Sequence, residues 1–407
     1  MEYLRIEQIE LMILIGAIVA VVARRLKIPY TVGLVVAGIT LTFLNIGLEA
    51  KFSKDLLFNV LLPPLIFEAA LYIRWKELRK DLGPIVVFAT LGVFLSAVVT
   101  AAIMHFSLGW VWQAAIIFGV LIAATDPVSV IATFKEAGVK SRLRLLVEAE
   151  SLFNDSTAAV AFTAAVAFGM GEALGFGSSA LTMITSAAGG IICGLLFGGL
   201  ALLIMARTED NLVELAMTTV AAFGSFWLAE HFHLSGILAA TTAGLLVGNM
   251  TAFGLITARG EESIEHFWDF AAFVVNSIIF IILGITAASQ NIAMFWLSIL
   301  VAIIAVVISR AASIYPCSLL FRWSSLKIDG AHQHVMFWGG LRGALALALA
   351  LGIPDTLPFK QEILTVTFGV IAFSVFVQGL TIRPLLRLMG QIGSSEENGD
   401  AEAEANA

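Results

Sequence analysis

The sequence predicts an all-α polytopic membrane protein with 13 transmembrane helices, and three observations point there. Of 407 residues, 59% are hydrophobic and only 13% charged, about half the charged share of a soluble chain. The apolar residues gather in unalternating runs of ~20, the length of a membrane helix rather than of a barrel strand. Basic residues are concentrated in alternate loops, the pattern of a chain threaded back and forth through a bilayer. Every loop is short, so no soluble domain intervenes.

Thirteen apolar segments lie near residues 8–23, 30–48, 55–73, 84–108, 112–134, 143–169, 180–206, 211–231, 234–254, 267–288, 292–320, 332–352 and 360–389. With the N-terminus outside, 17 Lys and Arg residues fall in inner loops and only four (Arg5, Lys51, Lys54, Lys360) outside. That bias sets the orientation as N-terminus out, C-terminus cytoplasmic; the family resemblance described below implies the cell membrane. Glu2, Glu7 and Glu10 stand where a cleavable signal would be basic, so the first span is expected to insert by itself. Residues 390–407, with Glu396, Glu397, Asp400, Glu402 and Glu404, read as a disordered acidic cytoplasmic tail after a transmembrane domain of residues 1–389. Cys193 and Cys317 lie in separate apolar segments and read as small packing residues. Gly194, Gly198 and Gly199 in the seventh segment are expected to let helices approach closely.

An odd span count permits two inverted six-helix repeats, spans 1–6 and 8–13, around a linking helix. The fifth members of the two units then correspond. Span 5 carries Thr125-Asp126-Pro127 and span 12 carries Gly339-Gly340-Leu341-Arg342-Gly343, each with helix-breaking residues and a charge near mid-span. Discontinuous spans 5 and 12 at matching repeat positions mark a transport site.

Carboxylates at membrane depth are costly, and here they cluster. Pro127 lacks an amide hydrogen, so span 5 is expected to unwind at Thr125-Asp126 and free carbonyls for a cation. The plainer reading of Asp126 is a cap on the second half of a kinked helix. On span 6, helical spacing places Glu150 one turn from Asn154, and Ser151 one turn from Asp155. These oxygen donors suit a hard monovalent ion at Asp126, Glu150 and Asp155, which the resemblance described below implies to be sodium, with no cofactor. Asn154 adds no charge and orients its neighbours by hydrogen bonds. Desolvation and a neighbouring carboxylate both favour protonation, so such a site holds either a proton or a cation, and that exclusion is all antiport needs. Glu148, nearer the basic loop, reads as a solvated or funnel residue rather than a direct ligand.

Other buried charges need partners. Glu68, in Leu62-Pro63-Pro64-Leu65-Ile66-Phe67-Glu68, and Arg342 are expected to form a structural ion pair, since an unpaired buried charge costs far more. Arg310, in span 11, has three readings: stabilising Glu150, holding the bundle core, or snorkelling to the cytoplasm.

These stretches, with Thr125-Asp126-Pro127-Val128, Glu148-Ala149-Glu150-Ser151-Leu152-Phe153-Asn154-Asp155 and Gly340-Leu341-Arg342-Gly343, resemble the monovalent cation/proton antiporters in order and spacing. The similarity is to the electroneutral sodium/proton exchanger branch and covers the chain to about residue 389. It implies that Asp155 is the essential carrier, with Thr125, Asp126, Glu150 and Ser151 around the ion. It implies that Asn154, in place of an Asp of the electrogenic branch, goes with one-for-one exchange, and that Glu68 pairs with Arg342. It also implies a homodimer in the lipid bilayer, with no nucleic-acid partner, in which a core including spans 3–6 and 10–13 moves against a dimerisation domain. The expected activity is sodium (or lithium)/proton antiport by alternating access, serving pH homeostasis. Potassium/proton exchange is the alternative, since the same donors admit either ion. A gated cation channel is disfavoured for want of a continuous polar pore, and an intramembrane hydrolase for want of a nucleophile and base.

Overall fold

The computed structural model describes residues 6–26, 28–44, 54–126, 128–139, 141–171, 176–208, 210–250, 258–290 and 292–391. Pro127, Lys51, Lys140 and tail residues 392–407 lie outside the described residues.

Local chemistry accounts for the helix order. Helix α1 (Ile6–Leu26) leads to α2 (Tyr30–Phe43), whose N-cap is Pro29, a residue preorganised for a helix start. Next, α3 (Lys54–Leu56), a π turn (Leu57–Leu61) and α4 (Leu62–Leu71) run on without interruption, with Pro63 and Pro64 in the first turn of α4. Helix α5 (Trp75–Val87), a π turn (Phe88–Gly92) and α6 (Val93–Leu108) form one continuous helical stretch of 34 residues, apolar after its charged first turns. Gly109, at φ +69°, closes α6 in the left-handed conformation that only glycine adopts freely. Helices α7 (Trp112–Leu121) and α8 (Val128–Glu136) share the fifth apolar segment, and α9 (Ser141–Gly169) fills the sixth.

Then come α10 (Phe176–Met205), α11 (Asn211–His231), α12 (Gly236–Met250), α13 (Ala258–Ser289) and α14 (Trp296–Leu319). Asp210 caps α11, accepting the Leu212 amide at 2.9 Å. Helices α15 (Gly330–Trp338) and α16 (Ala344–Leu351) divide the twelfth segment. Finally α17 (Lys360–Phe373), a π turn (Ser374–Gln378) and α18 (Gly379–Leu388) complete the chain.

The chain is thus all-helical among the described residues, and helices occupy each of the thirteen apolar segments. Seven helical stretches are long and apolar enough to cross a membrane, with shorter apolar helices between them. The protein is a multi-pass membrane protein, and its outward faces carry large apolar side chains such as Ile192, Leu195 and Leu196 that suit lipid. Segments 5 and 12, the two expected to be discontinuous, are each two short helices with a non-helical gap.

Helices α10, α11 and α12 pack into one panel, joined to the rest through α4 and α13. Around the gaps, α6, α7, α9, α14, α16 and α17 share one large apolar core that includes Phe118, Leu146, Leu347 and Phe368. A Cβ on Gly194 would meet the Ala239 backbone, and one on Gly198 would lie 3.2 Å from Ala243 Cα, so both glycines seat α10 on α12. Gly199 differs from expectation, because it faces open space. Cys193 and Cys317 are buried and unpaired, as small packing residues should be.

Candidate functional site

The site forms where the two gaps cross. The Asp126 amide donates to the Leu341 carbonyl at 2.8 Å, and Arg342 Nη1 donates to the carbonyls of Ala123 at 2.7 Å and Ala124 at 2.9 Å. Each gap therefore satisfies backbone groups that the other leaves without a helical partner, which is how irregular backbone survives at membrane depth. Asp126 accepts the Val128 amide at 3.0 Å and also the Ala344 amide, so one carboxylate caps the second halves of both broken segments. The capping role weighed for Asp126 is realised twice over. Gly343 makes the approach feasible, since a Cβ there would fall within the Asp126 side chain.

Helix α9 presents the second set of groups. Asn154 Oδ1 accepts the Thr125 amide at 3.1 Å, while Nδ2 donates to Thr125 Oγ1 at 2.7 Å and to Glu150 Oε1 at 3.1 Å. Thr125 Oγ1 also lies 2.7 Å from Ser151 Oγ. Asn154 thus ties the gap in segment 5 to α9 with donor and acceptor both used, the orienting role its neutral amide suggests. Arg310 grips Glu150 through Nη1–Oε1 at 2.8 Å and Nη2–Oε2 at 2.9 Å, and its Nη2 donates to the Met336 carbonyl at 3.0 Å. Both residues are buried, Glu150 at 1% and Arg310 at 5% exposure, so the bridge is a desolvated, bidentate one.

Beside this network a cavity of about 80 Å³ is lined by Glu68, Thr125, Asp126, Glu148, Leu152 and Asp155, with Gly343 and Ala344 at one wall. A water needs roughly 10–15 Å³ of such space, so it admits a partly hydrated small cation. Asp155 Oδ1 is buried and has no hydrogen-bond partner. In a protein interior an unmet carboxylate oxygen is expensive, and one at membrane depth beside a cavity points to a functional group.

The structure brings Thr125, Asp126 and Asp155 to the cavity but corrects two expectations. Arg342 makes no ion pair with Glu68. Its guanidinium turns to the carbonyls freed at Ala123 and Ala124, while Glu68 lines the cavity. Nor do Asp126, Glu150 and Asp155 converge as three ligands: no cluster of three His, Cys, Asp or Glu placed to hold a metal occurs among the described residues. Glu150 is withdrawn because both its oxygens are taken by Arg310. Of the three readings of Arg310, the structure selects the one that pairs it with Glu150.

Gln378 escaped the sequence reading. It is 4% exposed, and its Nε2 donates at 3.2 Å to the Trp338 carbonyl, which the end of α15 leaves free. A glutamine well inside an apolar segment is the available signal, and only the gap in segment 12 gives it meaning.

Two discontinuous segments crossing beside a buried, unmet carboxylate, within an all-helical multi-pass bundle, define a membrane transporter rather than an enzyme. The comparisons agree. The family described as sodium/hydrogen exchanger, transmembrane, matches residues 11–388, and the chain belongs to that family. Among its relatives are the Na(+)/H(+) antiporter ApNhaP of Aphanothece halophytica, 38% identical over 369 residues (90% of this chain, 71% of the relative). The Na(+)/H(+) antiporter NhaH of Halobacillus aidingensis is 31% identical over 396 residues, 94% of this chain and 97% of the relative. The fold matches that of the sodium proton antiporter MjNhaP1 from Methanocaldococcus jannaschii with a TM-score of 0.76 at 22% identity, over 95% of this chain and 98% of that one.

Proposed function

We propose that this protein exchanges sodium or lithium for protons across the cell membrane, with cation and proton competing for Asp155. The observation that carries this reading is the Asp155 carboxylate, buried beside the cavity it shares with Asp126, with one oxygen unmet. The names of the relatives and of the family support sodium as the ion. Thr125, Asp126, Ser151 and Asp155 form the cation and proton site, Asn154 orients it, and the Glu150–Arg310 pair braces it. This division keeps Glu150 close to the site without spending its oxygens on the ion.

Thirteen spans in two inverted repeats, spans 1–6 and 8–13, account for the two gaps falling at corresponding fifth positions. In this architecture the core of spans 3–6 and 10–13 moves against a dimerisation domain of the remaining spans in a homodimer. The bias of basic residues supports an outer N-terminus and a cytoplasmic C-terminus with residues 390–407 as its tail. Asn154, a neutral group where a second charge would otherwise sit on α9, supports one-for-one, electroneutral exchange. No bound cofactor is required, since the ion and proton are the cargo.

Proteoliposomes test this directly. Adding sodium or lithium outside should drive proton movement, and potassium should do so weakly. Asp155→Asn should abolish the flux to background while leaving folded protein, since it removes a charge that lacks a full set of partners. Flux retained by that variant sinks the carboxylate mechanism. Exchange driven by an imposed membrane potential at matched ion gradients sinks the one-for-one stoichiometry alone.

A further inference from the structure

Two glutamates two residues apart on α9 each hold an arginine, and the pairs differ in kind. Glu150–Arg310 is bidentate and buried, with every oxygen used. Glu148 meets Arg144 one helical turn away, with Arg144 Nε donating to Glu148 Oε1 at 3.0 Å and side chains 30% and 13% exposed. A helical i,i+4 pair with solvent access is much weaker than a buried bidentate one, so a competing cation displaces the arginine more readily. Breaking a buried bidentate pair costs several times more. The weak pair is also the one at the cavity: Glu148 lines it together with Asp126 and Asp155, and Glu150 does not. Helical spacing explains the sorting, since positions 148, 152 and 155 fall on one face of α9 and all three line the cavity.

We propose that Glu148 is the first carboxylate a transported cation meets on its way to Asp155, and that Arg144 is a resident counter-ion which the cation displaces. This inference rests on the antiport reading above. Arg144 and Glu148 precede Asp155 on α9, which under the proposed orientation puts them on the cytoplasmic side. Glu148 raises the local cation concentration at the mouth of the cavity, and Arg144 keeps its charge balanced when no cation is there. Arg144 thereby tunes apparent affinity without touching the ion.

Sodium-driven proton flux in proteoliposomes, measured across a range of sodium concentrations, tests the assignment. Glu148→Gln should raise the apparent KM for sodium about fivefold or more, with the maximal rate falling no more than about twofold. Arg144→Gln should lower the KM about twofold, because the competitor is gone. The exchanged double variant Arg144→Glu/Glu148→Arg separates this role from a merely structural pair. It restores an ion pair but takes the carboxylate out of the cavity, so its KM should stay at least as high as that of Glu148→Gln. Recovery to the wild-type KM would overturn the proposal, as would an unchanged KM in Glu148→Gln. Both arms are read against wild type and Asp155→Asn in the same vesicles. Absence of flux in wild type would count against antiport itself, whereas active wild type with a normal Glu148→Gln counts against this inference alone.

Discussion

Glu150 and Asp155 stand little more than one turn apart on α9, yet their surroundings are opposites. Glu150 has two guanidinium nitrogens and an amide on its oxygens and does not line the cavity. Asp155 faces the cavity and keeps an oxygen with no hydrogen-bond partner. Composition alone would rank the two carboxylates as equals. What separates them is whether their acceptors are met. A buried charge whose partners are complete is framework, and one whose partners are incomplete is held in readiness for something that comes and goes.

The largest effect should come from breaking the complete side. Arg310→Met strips Glu150 of both its charged contacts and the Met336 carbonyl of its donor. Leaving one member of a buried pair uncompensated costs ~3–5 kcal/mol. Thermal unfolding in detergent should show a large drop for Arg310→Met, and little change or a gain for Asp155→Asn. If Asp155→Asn proved the more destabilising, the division into framework and working carboxylate would be reversed.

Gly343→Ala probes the boundary between the two regions. A Cβ at this position would overlap the Asp126 carboxylate, which must then leave the amides of Val128 or Ala344. Overpacking of this kind costs ~1–3 kcal/mol. The functional loss should exceed the stability loss, because Asp126 both caps the crossing and lines the cavity, and displacement by ~1 Å at a site can cost up to ~100-fold. Transport falling only in step with folded protein would show that the placement of Asp126 is not critical.

How far the sequence shows all this depends on range. The helices, both gaps and the pairing of Glu150 with Asn154 and of Ser151 with Asp155 along one helix follow from apolar length, from proline and glycine, and from i,i+4 spacing within α9, all of which are local. The partners of the arginines are not local. Arg310 lies 160 residues from Glu150, and Arg342 lies 218 residues from Ala124. Pairing charge with charge correctly predicts that Arg310 needs an anion but misleads for Arg342. Its partners are backbone carbonyls, which carry no letter in the sequence and become available only once segment 5 unwinds. The close approach of Gly343 to Asp126 and the bond from Gln378 to the Trp338 carbonyl are invisible for the same reason, since each joins residues far apart in the chain.

The smallest effect is expected at a third ion pair, which fixes what burial contributes. Arg142 binds Asp81 through Nη2 at 2.8 Å and Nε at 3.2 Å and also donates to the Lys327 carbonyl at 3.1 Å, tying α9 to α5 and to the turn before α15. In donor count it rivals Arg310–Glu150. Its setting differs, since the Arg142 side chain is 36% exposed. Deprived of Asp81, the guanidinium keeps its carbonyl and reaches water, so no charge is stranded. Asp81→Asn should therefore cost ~1 kcal/mol or less and leave sodium-driven flux near wild type. Thermal unfolding alongside Arg310→Met makes the comparison. Equal losses from the two variants would mean that contact geometry outweighs burial in setting the strength of these bridges. A small loss here beside a large one there would confirm desolvation as the difference between framework and peripheral pairs.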